Sequence, residues 1–214
     1  MTPMTIRHHL SDPLLMAYAA GSLPEAFGLV VATHVSLCDE CRARMAAFDA
    51  VGGAVVESAD AVALSDGCLE AVMARLGAQD AAPVVAARGA VPAPLADYIG
   101  NDFAAVKWRA LGMGVRQAIL PTSKGASARL LYIPAGQAVP DHGHRGTELT
   151  LVLQGAFRDA FDRFGPGDLE IATEADEHTP VAEAGMDCIC LAATDAPLRF
   201  TGLVPRLLQP LFRI

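Results

Sequence analysis

The stretch that decides the fold of the N-terminal part is His34-Val-Ser-Leu-Cys38-Asp-Glu-Cys41, which has the form H-x-x-x-C-x-x-C. Residues four apart on a helix share a face, with Cβ atoms roughly 5–6 Å apart, so His34 and Cys38 can bind one ion. The C-x-x-C spacing is typical of two thiolates on one Zn²⁺. The sequence therefore predicts a structural zinc site, which needs a fourth ligand.

The fourth ligand is expected from the pair His8-His9 near the N-terminus. His9 is preferred because it lies nearer the first predicted helix. The alternative is a pair of buried thiols with an unrelated helical histidine. The three ligands in place, with two histidines upstream, favour tetrahedral zinc over that alternative.

Capping and stop signals predict four helices in residues 1–77. Ser11 is expected to cap the first helix. Ser22-Leu23-Pro24-Glu25 matches the capping box, in which Ser and Glu satisfy backbone N–H groups at the start of a helix. Glycines are expected to end three of the helices. The predicted helices span residues 11–21, 22–38, 39–53 and 65–77.

The fourth predicted helix carries an apolar stripe at the spacing i, i+3, i+4, i+7. Its members are Leu69, Val72, Met73 and Leu76. The stripe could pack on a partner protein or close the core of its own domain, and both possibilities stay open. Residues 78–95 are rich in Ala and Pro and predict a linker. A module as small as residues 1–77 gains stability from a bound metal.

After the linker, short β-prone segments bounded by Gly or Pro replace the helical pattern. They lie at residues 115–120, 128–133, 149–153 and 188–191. Regular short strands of this kind predict a sandwich or barrel. The expected fold is therefore two domains: an all-α zinc-binding module in residues 1–77 and an all-β domain in residues 96–214.

A second set of metal-binding residues lies in the pattern G-x5-H-x-H-x3-E-x6-G of residues 136–155. His142 and His144 alternate along a strand and so point to one face, and Glu148 keeps the same parity. His178, after a Pro-Gly-Asp turn, would add a fourth ligand from another strand. Three imidazoles and a carboxylate suit Zn, Fe, Mn or Ni. The alternative is four surface residues on loops.

The remaining cysteines have two interpretations. Cys188 and Cys190 face the same way on a strand, so they could form a redox pair. Small buried side chains in a core are the favoured interpretation, since free cysteine is often fully buried. Cys68 is likewise expected to be a packing or helix-surface residue.

Charge and hydropathy limit the partners and the location. The net charge of −8 and pI of about 5.1 argue against direct binding to nucleic acid. No stretch approaches the roughly 18 consecutive apolar residues of a membrane span. No signal peptide is visible either. We therefore expect a cytoplasmic protein without membrane contact.

The pattern in residues 136–155 resembles the first cupin motif, and the Pro-Gly-Asp segment with His178 resembles the second, although the gap before His178 is longer than usual. A small H-x-x-x-C-x-x-C module ahead of a cupin resembles the ChrR family of zinc-binding anti-sigma factors over essentially the whole chain. Further segments that carry the resemblance are residues 6–9, 37–44, 139–146 and 208–214.

The resemblance implies a cupin domain, a double-stranded β-helix or jelly-roll barrel, and a regulatory protein that is not an enzyme. The N-terminal domain would sequester a group IV (extracytoplasmic-function) sigma factor in a 1:1 complex. The cupin would govern its release under singlet oxygen or related oxidants. The alternative function is a metal-dependent cupin enzyme, a dioxygenase or isomerase, with a helical zinc appendage.

The resemblance also implies which residues bind. The N-terminal Zn²⁺ would be held by His9, His34, Cys38 and Cys41. The cupin would hold a second divalent metal, expected to be Zn²⁺, on His142, His144, Glu148 and His178. The face toward the partner is expected to include Leu14, Tyr18, Leu69, Val72, Met73 and Leu76.

Overall fold

Helices fill the N-terminal part of the chain and strands the C-terminal part, in a computed structural model that describes residues 5–77 and 91–200. The helices are α1 (Asp12–Ala19), α2 (Glu25–Leu37), α3 (Asp39–Glu57), α4 (Cys68–Gly77) and α5 (Ala93–Ile99), with a 3-10 turn at Phe103–Ala105. This confirms the expected order of a helical region followed by a β-rich region. The segments 78–90 and 208–214, which carry most of the predicted linker and part of the family resemblance, lie outside the described residues.

The C-terminal strands form three antiparallel sheets. They are β1 (Arg109–Gly112), β2 (Val115–Ile119), β3 (Ser127–Ile133), β4 (His142–Gly143), β5 (Glu148–Gln154), β6 (Phe157–Arg158), β7 (Arg163–Phe164), β8 (Leu169–Ala172), β9 (Glu177–His178), β10 (Val181–Ala182), β11 (Cys188–Thr194) and β12 (Arg199–Phe200). The large sheet has the order β1-β2-β3-β11-β5-β8, and the small ones are β10-β6-β7 and β12-β4-β9. All four predicted segments fall on strands of the large sheet, which confirms the all-β prediction.

The predicted capping box is wrong. Pro24 occupies the N-cap of α2, and no side chain caps that helix end. The Ser22 hydroxyl donates to the carbonyl of Ala17 instead. The Glu25 carboxylate accepts hydrogen bonds from the Tyr98 hydroxyl and the Ser123 N–H, each at 2.7 Å. Glu25 therefore makes long-range hydrogen bonds instead of a local cap, and these bonds connect α2 to α5 and to the β2–β3 loop.

Two predicted boundaries also move. Helix α3 continues through Gly52-Gly53 and ends at Glu57, because neither glycine adopts the positive φ that ends a helix. Helix α5 begins at Ala93, inside the predicted linker, and its Leu95 is fully buried together with Val91. This part of the Pro-rich segment is ordered because its apolar side chains are buried in the core.

The helical module and the large sheet share one hydrophobic cluster. Helix α2 packs across β11, β5 and β3. Val30 and Val31 on the helix and Leu151 and Leu191 on the sheet are fully buried in this cluster. Burying each such side chain contributes about 1.5–3 kcal/mol, so the interface is a substantial part of the stability.

Strand β11 shows how the sheet is buried on both faces. Cys188 and Cys190 lie in a second cluster, inside the barrel with Phe157, whereas Leu191 and Ala193 lie in the cluster shared with the helices. A strand covered on both faces is apolar throughout rather than alternating, and six of the seven β11 residues are buried. Among the described residues, no helix is both long and apolar enough to cross a membrane.

Candidate metal centres

The N-terminal centre forms where α2 ends and α3 begins. His34 lies in the last turn of α2, Cys41 lies in the first turns of α3, and Cys38 separates the two helices in an extended conformation. The Cys38 N–H donates to the His34 carbonyl, and the Cys41 N–H donates to the Cys38 sulfur at 3.4 Å. The break between the helices therefore turns both thiols and the imidazole toward one point.

The fourth member of this cluster is His9, not His8. His9 Nδ1 lies 3.3 Å from Cys38 Sγ and 3.7 Å from Cys41 Sγ. His34 Nε2 lies 3.3 Å from Cys41 Sγ, and one donor atom from each of the four residues falls within 4.8 Å of all the others. Tetrahedral zinc with bonds of about 2.0–2.3 Å sets N···S separations of about 3.5 Å, so the cluster fits this ion.

The electrostatics of this cluster suit metal binding. Burial lowers the pKa of His34 to about 4, so the imidazole is neutral at pH 7, which is the form that ligates a metal. Burial raises the pKa of the Cys41 thiol to about 11. A bound Zn²⁺ would supply the positive charge that favours the thiolate.

A carboxylate that sequence reasoning missed contacts the ring nitrogen of His9 that faces away from the thiols. Glu40 Oε2 lies 3.4 Å from His9 Nε2, the nitrogen that does not face the thiols. Carboxylates in this position orient metal-bound imidazoles. Glu40 lies between the two cysteines in C-x-x-C, but its contact depends on where the N-terminal segment runs, which the local sequence does not show.

The cupin centre brings three histidines together. His142 on β4 and His178 on β9 are register partners, and His144 follows β4 directly. Ring centroids are 4.8 Å apart for His142 and His178 and 5.3 Å apart for the two pairs that involve His144. The donor atoms of the three rings lie within 4.8 Å of one another.

Two observations show that this cluster fits a cation. His144 is only 2% exposed, yet neither of its ring nitrogens has a hydrogen-bond partner among the described residues. An unpaired buried polar group is costly, and a metal ion would satisfy it. His142 Nδ1 lies 2.8 Å from the Pro140 carbonyl, which accepts its proton, so Nε2 is the ring nitrogen that would ligate a metal.

Glu148 lies beside this cluster but outside the group of mutually close donor atoms. Its Oε2 is 3.6 Å from His144 Nδ1, and its Oε1 accepts a hydrogen bond from the Thr150 hydroxyl at 3.1 Å. The carboxylate therefore faces the centre from β5. Its role as a fourth ligand stays a prediction.

Two further carboxylates contact His178, and sequence reasoning missed both. Glu170 Oε1 and Asp159 Oδ2 lie 3.0 Å and 3.2 Å from His178 Nδ1. They outweigh the effect of burial and raise the pKa of His178 to about 9. Glu170 is on β8 and Asp159 is in the β6–β7 turn, so only the assembled barrel brings them to this imidazole.

A cavity of about 500 Å³ opens beside the cupin centre. It is lined by His144 and by the exposed residues Arg145, Glu174 and Arg199. Its size suits a small molecule.

Comparisons with known proteins show the family of this chain. A family profile described as the ChrR Cupin-like domain matches residues 97–196. The anti-sigma-E factor ChrR of Cereibacter sphaeroides is 68% identical over 213 residues, which cover 99% of this chain and 100% of the relative. This chain belongs to the ChrR family. The relative is a regulatory protein and not an enzyme, as the sequence led us to expect.

A solved structure supports the same assignment. ChrR in the crystal structure of Rhodobacter sphaeroides SigE in complex with the anti-sigma ChrR is 68% identical to this ChrR-family chain. The match covers 89% of this chain and 100% of that one, with a TM-score of 0.82. The helical module and the cupin thus occur together in a known architecture.

The residues expected to face a partner fall into two groups. Leu69, Val72, Met73 and Leu76 on α4 are between 47% and 66% exposed, so they do not close the core within the described part of this ChrR-family chain. Leu14 and Tyr18 on α1 are half-buried against the module's own core. The α4 stripe is therefore the more available of the two surfaces.

The remaining cysteines of this ChrR-family protein belong to neither group of metal-binding residues among the described residues. The Cys188 and Cys190 sulfurs are 3.5 Å apart inside the barrel core. The hydrogen bond between them and their burial raise the pKa of Cys190 well above its usual value, so this thiol is not a ready nucleophile. Cys68 is half-buried at the start of α4.

Proposed function

We propose that this protein is an anti-sigma factor. It sequesters a group IV (extracytoplasmic-function) sigma factor, in a 1:1 complex, through its zinc-binding helical module. The observation that carries the proposal is the presence of a His9–His34–Cys38–Cys41 cluster in a chain 68% identical to a ChrR whose crystal structure is in complex with SigE. Because a sigma factor works with RNA polymerase, we place the protein in the cytoplasm.

The exposed apolar surface of the module supports a protein partner. It comprises Val51, Val55, Val56, Val62, Leu64, Leu69, Val72, Met73 and Leu76. Helix α4 has only 10 residues, and helices this short are marginal in water unless they pack on something. Since the stripe on α4 has no core to cover in the described chain, a sigma factor that buries it would stabilise the helix and gain affinity.

The domains divide the work in this proposal. Residues 1–77 hold the sigma factor, and Zn²⁺ on the four-residue cluster fixes how α2, α3 and the N-terminal segment meet. Residues 96–214 form the cupin, which holds a second Zn²⁺ on His142, His144, Glu148 and His178. The intervening residues 78–95 connect them, although α5 already begins at Ala93.

The cupin is the part that responds to singlet oxygen or related oxidants. The cavity beside His144 supports this role, because a small molecule bound there would lie next to the buried imidazoles of the centre. The response would then reach the helical module as a change in release of the sigma factor.

The test is reconstitution of the full chain with its cognate sigma factor. A 1:1 complex on size-exclusion chromatography and inhibition of transcription from the sigma-dependent promoter are expected. Met73→Glu should weaken the complex, whereas Met186→Glu should leave it unchanged. Met186 is the matched control: its side chain is 58% exposed on a cupin turn, whereas that of Met73 is 60% exposed on α4. A protein that neither binds nor inhibits would rule the proposal out.

A further inference from the structure

The N-terminal segment supplies His9 to the zinc cluster, and the two residues before His9 are bound to the cupin. The N–H groups of Arg7 and His8 both donate to Asp168 Oδ1, at 2.6 Å and 3.0 Å. The N–H of Leu169, the first residue of β8, donates to the His8 carbonyl at 3.2 Å. The backbone on the N-terminal side of His9 is therefore held on the turn that leads into β8.

The His8 side chain makes a second attachment to the cupin. Its Nε2 lies 3.0 Å from Asp162 Oδ2, in the β6–β7 turn. Its ring packs on Phe164 of β7, with centroids 4.4 Å apart. Because neighbouring side chains in an extended segment point in opposite directions, His8 faces the cupin while His9 faces the zinc cluster.

The turn and the strand that hold His8 are the same two elements that hold His178. In the β6–β7 turn, the Asp162 N–H donates to Asp159 Oδ1, and Asp159 Oδ2 lies 3.2 Å from His178 Nδ1. On β8, Leu169 binds the His8 backbone, and the next residue, Glu170, lies 3.0 Å from His178 Nδ1. Two short connections thus run from His178 to His8.

We propose that residues 7–9 couple the two metal centres, with His8 as the residue that carries the coupling and Asp159 and Glu170 as positioning residues for His178. A metal on the cupin histidines fixes the ring of His178. That ring fixes the β6–β7 turn and the start of β8, and these hold His8, and hence His9, in place. Loss of the cupin metal loosens the segment and speeds the exchange of His9 at the zinc cluster, while the other three ligands keep Zn²⁺ bound until a chelator competes for it.

This inference rests on the proposed occupancy of both centres by metal, and it does not depend on the identity of the protein partner. It supplies a path along which a change at the cupin reaches the module that is proposed to bind the sigma factor. Coupling of two binding sites is reciprocal and amounts to about 5–150-fold in well-studied cases.

The experiment uses the full chain with both centres loaded with Co²⁺. Only a site with cysteine ligands gives a thiolate-to-Co²⁺ absorption band, so this band reports the N-terminal centre alone. The initial rate at which excess chelator removes the band is compared between the unaltered protein and His142→Ala/His144→Ala, whose cupin centre cannot hold metal. We expect the rate to rise about fivefold or more in the variant.

The variant His8→Ala should make removal fast whether or not the cupin centre is intact, so that the ratio of the two rates falls to about one. Asp162→Asn is a milder version, since the Asp162 side chain is exposed and its loss leaves the backbone contacts in place. It carries the test if His8→Ala does not fold. Arg163→Ala is the matched control, because Arg163 is in the same hairpin but pairs with Glu183, and it should keep the full ratio.

A ratio of one in the protein with His8 intact would overturn the inference. So would a full ratio that persists in Asp162→Asn and in any folded His8→Ala protein, because the segment would then be a tether only. Binding of the sigma factor is measured separately. A protein that shows the coupling but binds no sigma factor would contradict the proposed function and leave this inference standing. A protein that binds the sigma factor but shows no coupling would contradict this inference and leave the proposed function standing.

Discussion

The sulfur of Cys38 lies 3.3 Å from Nδ1 of His9, although 29 residues separate them along the chain. This contact joins the N-terminal segment to the break between α2 and α3. Residues 5–11 have no regular secondary structure of their own, so the position of His9 depends on this contact and on those that its neighbour His8 makes with the cupin.

Replacing Cys38 or Cys41 by Ser should remove one metal ion per chain and abolish binding of the sigma factor. Ligation energy in small structural sites is of the order of 10–16 kcal/mol and becomes folding energy. Metal analysis and size-exclusion chromatography with the sigma factor measure the two effects. Cys68→Ser is the control, since Cys68 belongs to neither cluster among the described residues. Zinc-free variants that still inhibit transcription would show that the metal is not needed to hold the helical module together.

Glu40→Gln should weaken zinc binding without removing a ligand. The carboxylate 3.4 Å from His9 Nε2 orients that ring, and loss of such a partner costs about 10–100-fold in metal affinity. Competition with a chelator of known affinity measures the change. Asp39→Asn is the neighbouring control, because Asp39 pairs with Arg42 instead. Equal affinities for the two variants would argue against the role assigned to Glu40.

His142→Ala should remove the cupin metal, spare the inhibition of transcription and blunt the response to oxidant. The imidazole is part of the buried three-histidine cluster and not of the exposed apolar stripe on α4. Transcription assays with and without a singlet-oxygen source measure the response, and Glu148→Gln should behave in the same way if that carboxylate is a ligand. Collapse of sigma binding in these variants would show that the two domains do not divide the work as proposed.

Asp168→Asn should destabilise the attachment of the N-terminal segment at neutral pH. Burial raises the pKa of Asp168, but hydrogen bonds from the N–H groups of Arg7, His8 and Gly165 outweigh it and hold the pKa below its usual value. A lowered pKa stabilises the fold fully above the unfolded value of about 3.9 and loses that effect as the pH falls through the folded value.

The free energy of unfolding, measured with denaturant, should therefore differ by about 2 kcal/mol between the protein and Asp168→Asn at pH 7. The difference should shrink only at pH values below about 4. Asp176→Asn is a control carboxylate that binds the N–H of Thr173 within its own turn, and it should leave exchange of the Arg7 and His8 amides with solvent unchanged. A difference that disappears already near pH 6 would assign the effect to another group.

What the sequence alone determined is local. The spacing of His34, Cys38 and Cys41 places three ligands on adjacent turns, because helical geometry sets which residues share a face. Alternation along a strand likewise aligns His142 and His144. These relations depend only on the dihedral angles of neighbouring residues. Residue types at fixed spacing were therefore enough to predict His34, Cys38 and Cys41 as one group, His142 and His144 as another, and the order of helices and strands.

What only the tertiary structure decided is which distant groups meet. The Glu25 carboxylate accepts hydrogen bonds from Tyr98 and Ser123 instead of capping α2, because hydrogen-bond donors far away in sequence compete with local donors of similar strength. Of two adjacent histidines, His9 turns to the thiols and His8 to the cupin. Glu170 and Asp159 reach His178 only after the barrel closes. Such contacts depend on chain segments far apart in sequence, so the spacing of residue types cannot predict them.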